Sequence, residues 1–165
     1  MVALNEITEY PVAGYLPYYS HETKRDGFMK YLNLALSLLL AFGFVFFGAQ
    51  KFGAENVVFQ VLAERSGIDL FNPYIRYFTG ASEIVIAILL LIPRTRLVAS
   101  LAGIGLLFGA IGLHLSPWLG IDVPNIGKGL FYTAVVMFVL TLVNGLVSYR
   151  AGRKILFWKD EEEAA

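Results

Sequence analysis

Glu83 is a carboxylate set inside a lipid-soluble stretch, Phe78-Thr79-Gly80-Ala81-Ser82-Glu83-Ile84-Val85-Ile86, with Ile, Leu and Ala continuing to Ile92. An ionisable group at membrane depth is costly and normally faces a partner or a wet cavity. Three basic residues stand where they could reach a similar depth: Lys51, Arg76 and His114. Such a set could exchange protons or bind a polar head group. It could equally be a buried clamp that locks helices in register. Interhelical hydrogen bonds in membranes average only about 0.6 kcal/mol, while an Asp at the centre of a span costs about 2.5–3.5 kcal/mol. Stability alone is therefore a weak reason for the acid, and the balance tilts toward a ligand-binding or proton-exchange site. Its candidates are Lys51, Arg76, Glu83 and His114, with Gln50 and Tyr132 near the same level.

The elements that must position these groups are membrane spans. The chain has 165 residues, 57% of them hydrophobic, with a mean hydropathy of +0.63. A soluble domain of this size would carry more charge. Residues 31–50, 73–92, 97–118 and 129–149 are each long enough for a hydrocarbon core, which takes about 20 apolar residues. The expected fold is an all-α membrane protein, an antiparallel four-helix transmembrane bundle occupying residues 30–150. A short helix is expected between spans one and two, over residues 54–66. There Val57, Val58, Val61 and Leu62 share one face, Asn56, Gln60 and Glu64 the other, and Gly67 is placed to end it. Such a helix lies in the interface, or packs on the bundle.

With this topology Lys51 closes span one, Glu83 lies roughly 9 Å below Tyr77, and His114 roughly 6 Å below Trp118, at a rise of 1.5 Å per residue. Arg76 and Glu83 are two turns apart on one helix face, with Gly80 between them. Span three carries Gly105 and Gly109, a small-xxx-small pair that lets another backbone approach. That pair places the helix at the bundle centre, or else marks a homodimer face.

Basic residues set the orientation. Lys24, Arg25, Lys30, Arg94, Arg96, Arg150, Arg153, Lys154 and Lys159 fall on one side; Lys51, Arg65, Arg76 and Lys128 fall on the other. The excess places both termini in the cytoplasm, with a bacterial plasma (inner) membrane as the expected location. Residues 1–29 carry Glu6, Glu9, Glu22 and Asp26 and no apolar run, so they read as an irregular cytoplasmic arm rather than a signal peptide. Residues 151–165 read as a cytoplasmic tail whose Phe157 and Trp158 anchor at the interface ahead of an acidic end. Asn144, near the cytoplasmic end of span four, reads as an interhelical hydrogen bond.

Several chemistries are excluded. The 13 basic and 13 acidic residues balance, so no global field draws nucleic acid. There is no cysteine, which removes thiol and iron–sulfur chemistry. Gly103-x-Gly105 follows no strand and is no nucleotide loop, and one His with one Glu makes no metal site.

The order Gly48-Ala49-Gln50-Lys51-Phe52, Gly80-Ala81-Ser82-Glu83, Leu91-Ile92-Pro93-Arg94-Thr95-Arg96 and Gly109-Ala110-Ile111-Gly112-Leu113-His114 resembles the DoxX-like family of four-span membrane proteins. The resemblance covers about residues 31–153. It implies a small subunit of a quinone-linked or oxidative-stress redox assembly, or an assembly chaperone. The leading expectation is therefore a quinone- or lipid-associated accessory subunit, not a stand-alone enzyme, in which Glu83 and His114 bond the quinone carbonyls. The alternatives are a non-catalytic assembly factor whose polar cluster is structural, and a small proton-coupled carrier. The expected partners are the lipid bilayer and a membrane protein or second copy of the chain.

Overall fold

The computed structural model describes residues 16–163, and the side chains of residues 27–151. Among the described residues every regular element is helical: α1 (Leu16–Gln50), α2 (Val57–Ser66), α3 (Tyr74–Leu91), α4 (Arg96–Leu115) and α5 (Gly129–Glu163), with one 3-10 turn at Asp69–Phe71. Four stretches are long and apolar enough to cross a membrane: Gly27–Gln50, Asp69–Leu91, Arg96–Leu115 and Gly129–Ala151. Each falls within a few residues of its expected span, because about 20 consecutive apolar residues is a local property that needs no tertiary information. The expected antiparallel four-helix membrane bundle is the observed architecture.

α1 packs on α3 and α5, and α4 packs on the same two helices. The bundle is thus a ring of four, with α1 diagonal to α4. Leu40, Ala41 and Phe44 of α1 meet Ile86, Ala87 and Leu90 of α3, Ala99 and Leu107 of α4, and Met137 of α5 along its axis. Around the outside Phe42, Phe78 and Phe108 are largely exposed, which is stable in lipid because acyl chains are as apolar as the side chains.

Glycines decide how closely the helices approach. A Cβ on Gly103 would stand 3.0 Å from Phe44 and 3.2 Å from Thr141, so this is where α4 admits its neighbours. Gly105 and Gly109, expected at the bundle centre, are exposed instead, and a Cβ on either would meet nothing within 4 Å. The reason is rotational. Gly103 lies two residues before Gly105, about 200° round the helix at 3.6 residues per turn, so the two cannot face the same neighbour.

The connection from α1 to α3 is built by α2. The Asn56 side chain accepts from the Phe59 backbone N–H at its start, and Gly67 ends it in the left-handed conformation (φ 70°). Phe59 and Leu62 are buried against Leu119 and Val123 of the α4–α5 loop, with Val57, Val58 and Val61 at the edge. The expected apolar face is present, and Phe59 joins it. The helix thus packs its apolar face on the bundle. The loop it covers is shaped by a Pro124-Asn125 turn with Asn125 at φ 63° and closed by paired backbone bonds between Val123 and Gly127.

α1 begins at Leu16, so the second half of the segment expected to be an irregular arm is continuous with span one. The rest of the arm, and the tail side chains beyond Ala151, lie outside the described residues.

Candidate functional site

At the end of α1 the chain turns back, with the N–H groups of Lys51 and Phe52 donating to the carbonyls of Gly48 and Ala49. The turn swings the Lys51 side chain along its own helix, where Nζ donates to the Phe47 carbonyl at 3.3 Å. The same ammonium meets Glu83 Oε2 of α3 at 2.6 Å. Both side chains are nearly sealed, at 14% and 10% exposure. The approach is possible because both helices carry glycine at the crossing. A Cβ on Gly48 would lie 3.1 Å from Glu83 Cβ and from the Gly80 carbonyl. One on Gly80 would lie 2.9 Å from Lys51 Cβ and 3.0 Å from the Gly48 carbonyl. Glycine spacing and ion pair are therefore one device.

Of the three basic groups that could have met Glu83, the structure selects Lys51. Arg76 is buried, at 4% exposure, yet forms no ion pair among the described residues. Its guanidinium folds over the neighbouring Tyr77 ring, 4.7 Å from the centroid, with Nη2 donating to the Tyr77 hydroxyl at 2.9 Å. Tyr77 in turn stacks on Phe52, with ring centroids 5.8 Å apart and planes 4° from parallel. Arg76 Nε is buried with no hydrogen-bond partner.

His114 is buried too, but its Nδ1 is 3.0 Å from the Gly120 carbonyl of the following loop. A carbonyl only accepts, so Nδ1 carries a hydrogen in this contact. The ring meets Phe131 edge-on at 5.9 Å. Its role here is to tie the end of α4 to its own loop. Gln50 is exposed and donates back to Phe46 within α1. Tyr132 is exposed and packs edge-on against Phe131. The expected cluster therefore resolves into a closed Lys51–Glu83 pair, an Arg76–Tyr77–Phe52 stack and a separate His114 cap. Among the described residues no three His, Cys, Asp or Glu side chains converge as a metal site would require.

A second polar group lies at the other end of the bundle. Asn33 Nδ2 donates to Ser148 Oγ at 2.8 Å, and Asn33 Oδ1 accepts from Arg96 at 2.9 Å. Ser37 Oγ donates to Asn144 Oδ1 at 3.3 Å, and Asn144 Nδ2 donates to Ser100 Oγ at 3.2 Å. Arg96 Nε finishes on the Leu90 carbonyl at 3.1 Å. The interhelical role expected of Asn144 is the one it has; its partners were not anticipated. A signal existed, since Asn33 and Ser37, Arg96 and Ser100, and Asn144 and Ser148 are each four residues apart and share helix faces.

The family model described as methylamine utilisation protein MauE matches residues 29–123, more than half of the chain and all of α2 to α4. The chain belongs to the MauE family. It is accordingly an integral membrane protein, held in a lipid bilayer by its four apolar spans. A search of curated proteins and a search of solved structures gave no match. Membership of the MauE family corrects the resemblance to DoxX-like proteins, and the oxidative-stress association falls with it. The geometry explains why the short motifs misled. In this structure Gly48-x-x-Lys51 and Gly80-x-x-Glu83 mark the crossing of α1 and α3 beneath the Lys–Glu pair.

Proposed function

We propose that this MauE-family protein is a non-catalytic accessory factor of the membrane, serving methylamine utilisation or a related redox pathway by holding or assembling a partner protein. The observation that carries this reading is the closed Lys51–Glu83 pair. A carboxylate meant to exchange protons or to bind a ligand needs a free face. This one is sealed against an ammonium, beside two glycines that keep the helices in contact. A quinone held between Glu83 and His114 draws no support from this geometry, because His114 is bonded to its own loop. The pathway comes from the family's description. The excess of basic residues at the terminal end supports both termini in the cytoplasm of a bacterial inner membrane, with α2 on the outer side.

Complementation in the native host, grown on methylamine with its own copy deleted, tests the proposal. A double variant, Lys51→Met with Glu83→Leu, removes both charges together. If it accumulates in the membrane and restores growth, the pair is structural as proposed. Full accumulation without growth would mean that the charges act on a substrate, and the accessory reading falls. Stoichiometric co-purification of one membrane or exported protein is the expected companion result.

A further inference from the structure

Arg76 is a buried cation that no carboxylate among the described residues matches. The Lys51–Glu83 contact is the one salt bridge among the described residues. The other described carboxylates, Glu55, Glu64, Asp69 and Asp122, are all exposed. The one acceptor that meets the guanidinium is the Tyr77 hydroxyl, itself still free to donate its own hydrogen. Nε has no partner despite being sealed from solvent. Unmatched buried polar atoms are rare in folded proteins and call for a specific cause.

The backbone beneath adds to the same charge imbalance. Arg76 is the third residue of α3, so its backbone lies in the first turn, and its side chain contacts the neighbouring Tyr77. The first N–H groups of a helix have no intrahelical acceptor and carry its positive dipole end. In α3 no side chain caps them, and no acidic residue stands in the first turn. The guanidinium and the phenol O–H are donors that meet no anion among the described residues, at a helix end whose dipole favours one. Guanidinium edges match phosphate oxygens in pairs. The turn also lies at the end of a membrane span, where lipid phosphates are found.

We propose that Arg76 and Tyr77, at the start of α3, form a binding site for a phosphate group, supplied by a lipid head group. This site is independent of the accessory role and of the Lys51–Glu83 pair.

The test uses the full-length protein in a phosphate-free maltoside detergent, followed by its thermal unfolding midpoint. The probes are a short-chain phosphatidylglycerol, a glycolipid with the same tails, and inorganic phosphate. The expected result is a saturable rise in midpoint with phosphatidylglycerol and none with the glycolipid. Arg76→Gln is expected to weaken the response at least tenfold, and Tyr77→Phe several-fold. A rise with inorganic phosphate at similar concentrations, equally dependent on Arg76, would assign the site to a free anion and overturn the lipid source. Equal responses to both lipids, or a response undiminished in Arg76→Gln, would overturn the site altogether. Should Arg76→Gln fail to accumulate, Arg76→Lys and Tyr77→Phe decide. Arg76→Lys keeps the charge but loses the paired donors, so unchanged affinity in both variants would also overturn it.

Discussion

The two ends of this bundle solve the problem of polar groups in lipid in opposite ways. At the terminal end, Asn33, Ser37, Arg96, Ser100, Asn144 and Ser148 share hydrogen bonds across three helices, and the network is built mainly from neutral side chains. At the α2 end the groups are charged and fewer. Lys51 and Glu83 cancel each other, His114 serves its own loop, and Arg76 keeps a donor with no acceptor. Neutral amides and hydroxyls both donate and accept, so a handful of them can satisfy one another. Guanidinium and ammonium only donate, so each needs an acceptor from elsewhere. A surplus of donors at the charged end is the natural consequence.

Removing one charge should break this comparison most severely. Glu83→Leu leaves the nearly sealed Lys51 ammonium without a counter-charge, and stripping one partner from a buried pair costs about 3–5 kcal/mol. Unfolding in detergent should show that loss, with most of it recovered when Lys51→Met is added. A double variant as unstable as the single one would mean that the pair is not what holds α1 to α3.

A smaller effect is expected from the helix crossing. Gly80→Ala puts a Cβ within 2.9 Å of Lys51 Cβ and 3.0 Å of the Gly48 carbonyl, and overpacking of this kind costs about 1–3 kcal/mol. Gly109→Ala, into open space, should be neutral or stabilising by up to about 1 kcal/mol, the helix preference for Ala over Gly. If both variants lose stability alike, Gly109 faces a protein surface, such as a second copy of the chain, and not lipid.

The smallest change belongs to the neutral end. Asn144→Ala removes the bonds to Ser37 and Ser100, at about 0.6 kcal/mol per interhelical bond. Its unfolding midpoint should fall far less than that of Glu83→Leu. A drop as large would place the main clamp at the terminal end instead.

Much of the fold was legible along the chain. Span number, approximate ends and the short helix before Gly67 follow from local composition and helix-stop chemistry. Glu83 marked itself as a group in need of a basic partner, because a carboxylate is costly in lipid wherever it sits. The choice of partner was not legible. Lys51, Arg76 and His114 all stood at suitable depth, and depth along an axis says nothing about rotation around it. Gly105 and Gly109 were misplaced for the same reason, and the paired Asn and Ser positions went unread although their spacing was plain.

In water, an apolar stripe against a polar face would have shown which way each helix turns. These spans are apolar over most of their circumference, and lipid accepts any apolar side of them. Composition by itself therefore determined how many times the chain crosses, roughly where, and that one acid must be neutralised. Only close packing decided which way each span turns, through Gly48 against Gly80 and Gly103 against Phe44. With that rotation came the pairing of Glu83 with Lys51, while Arg76 turned to Tyr77 instead.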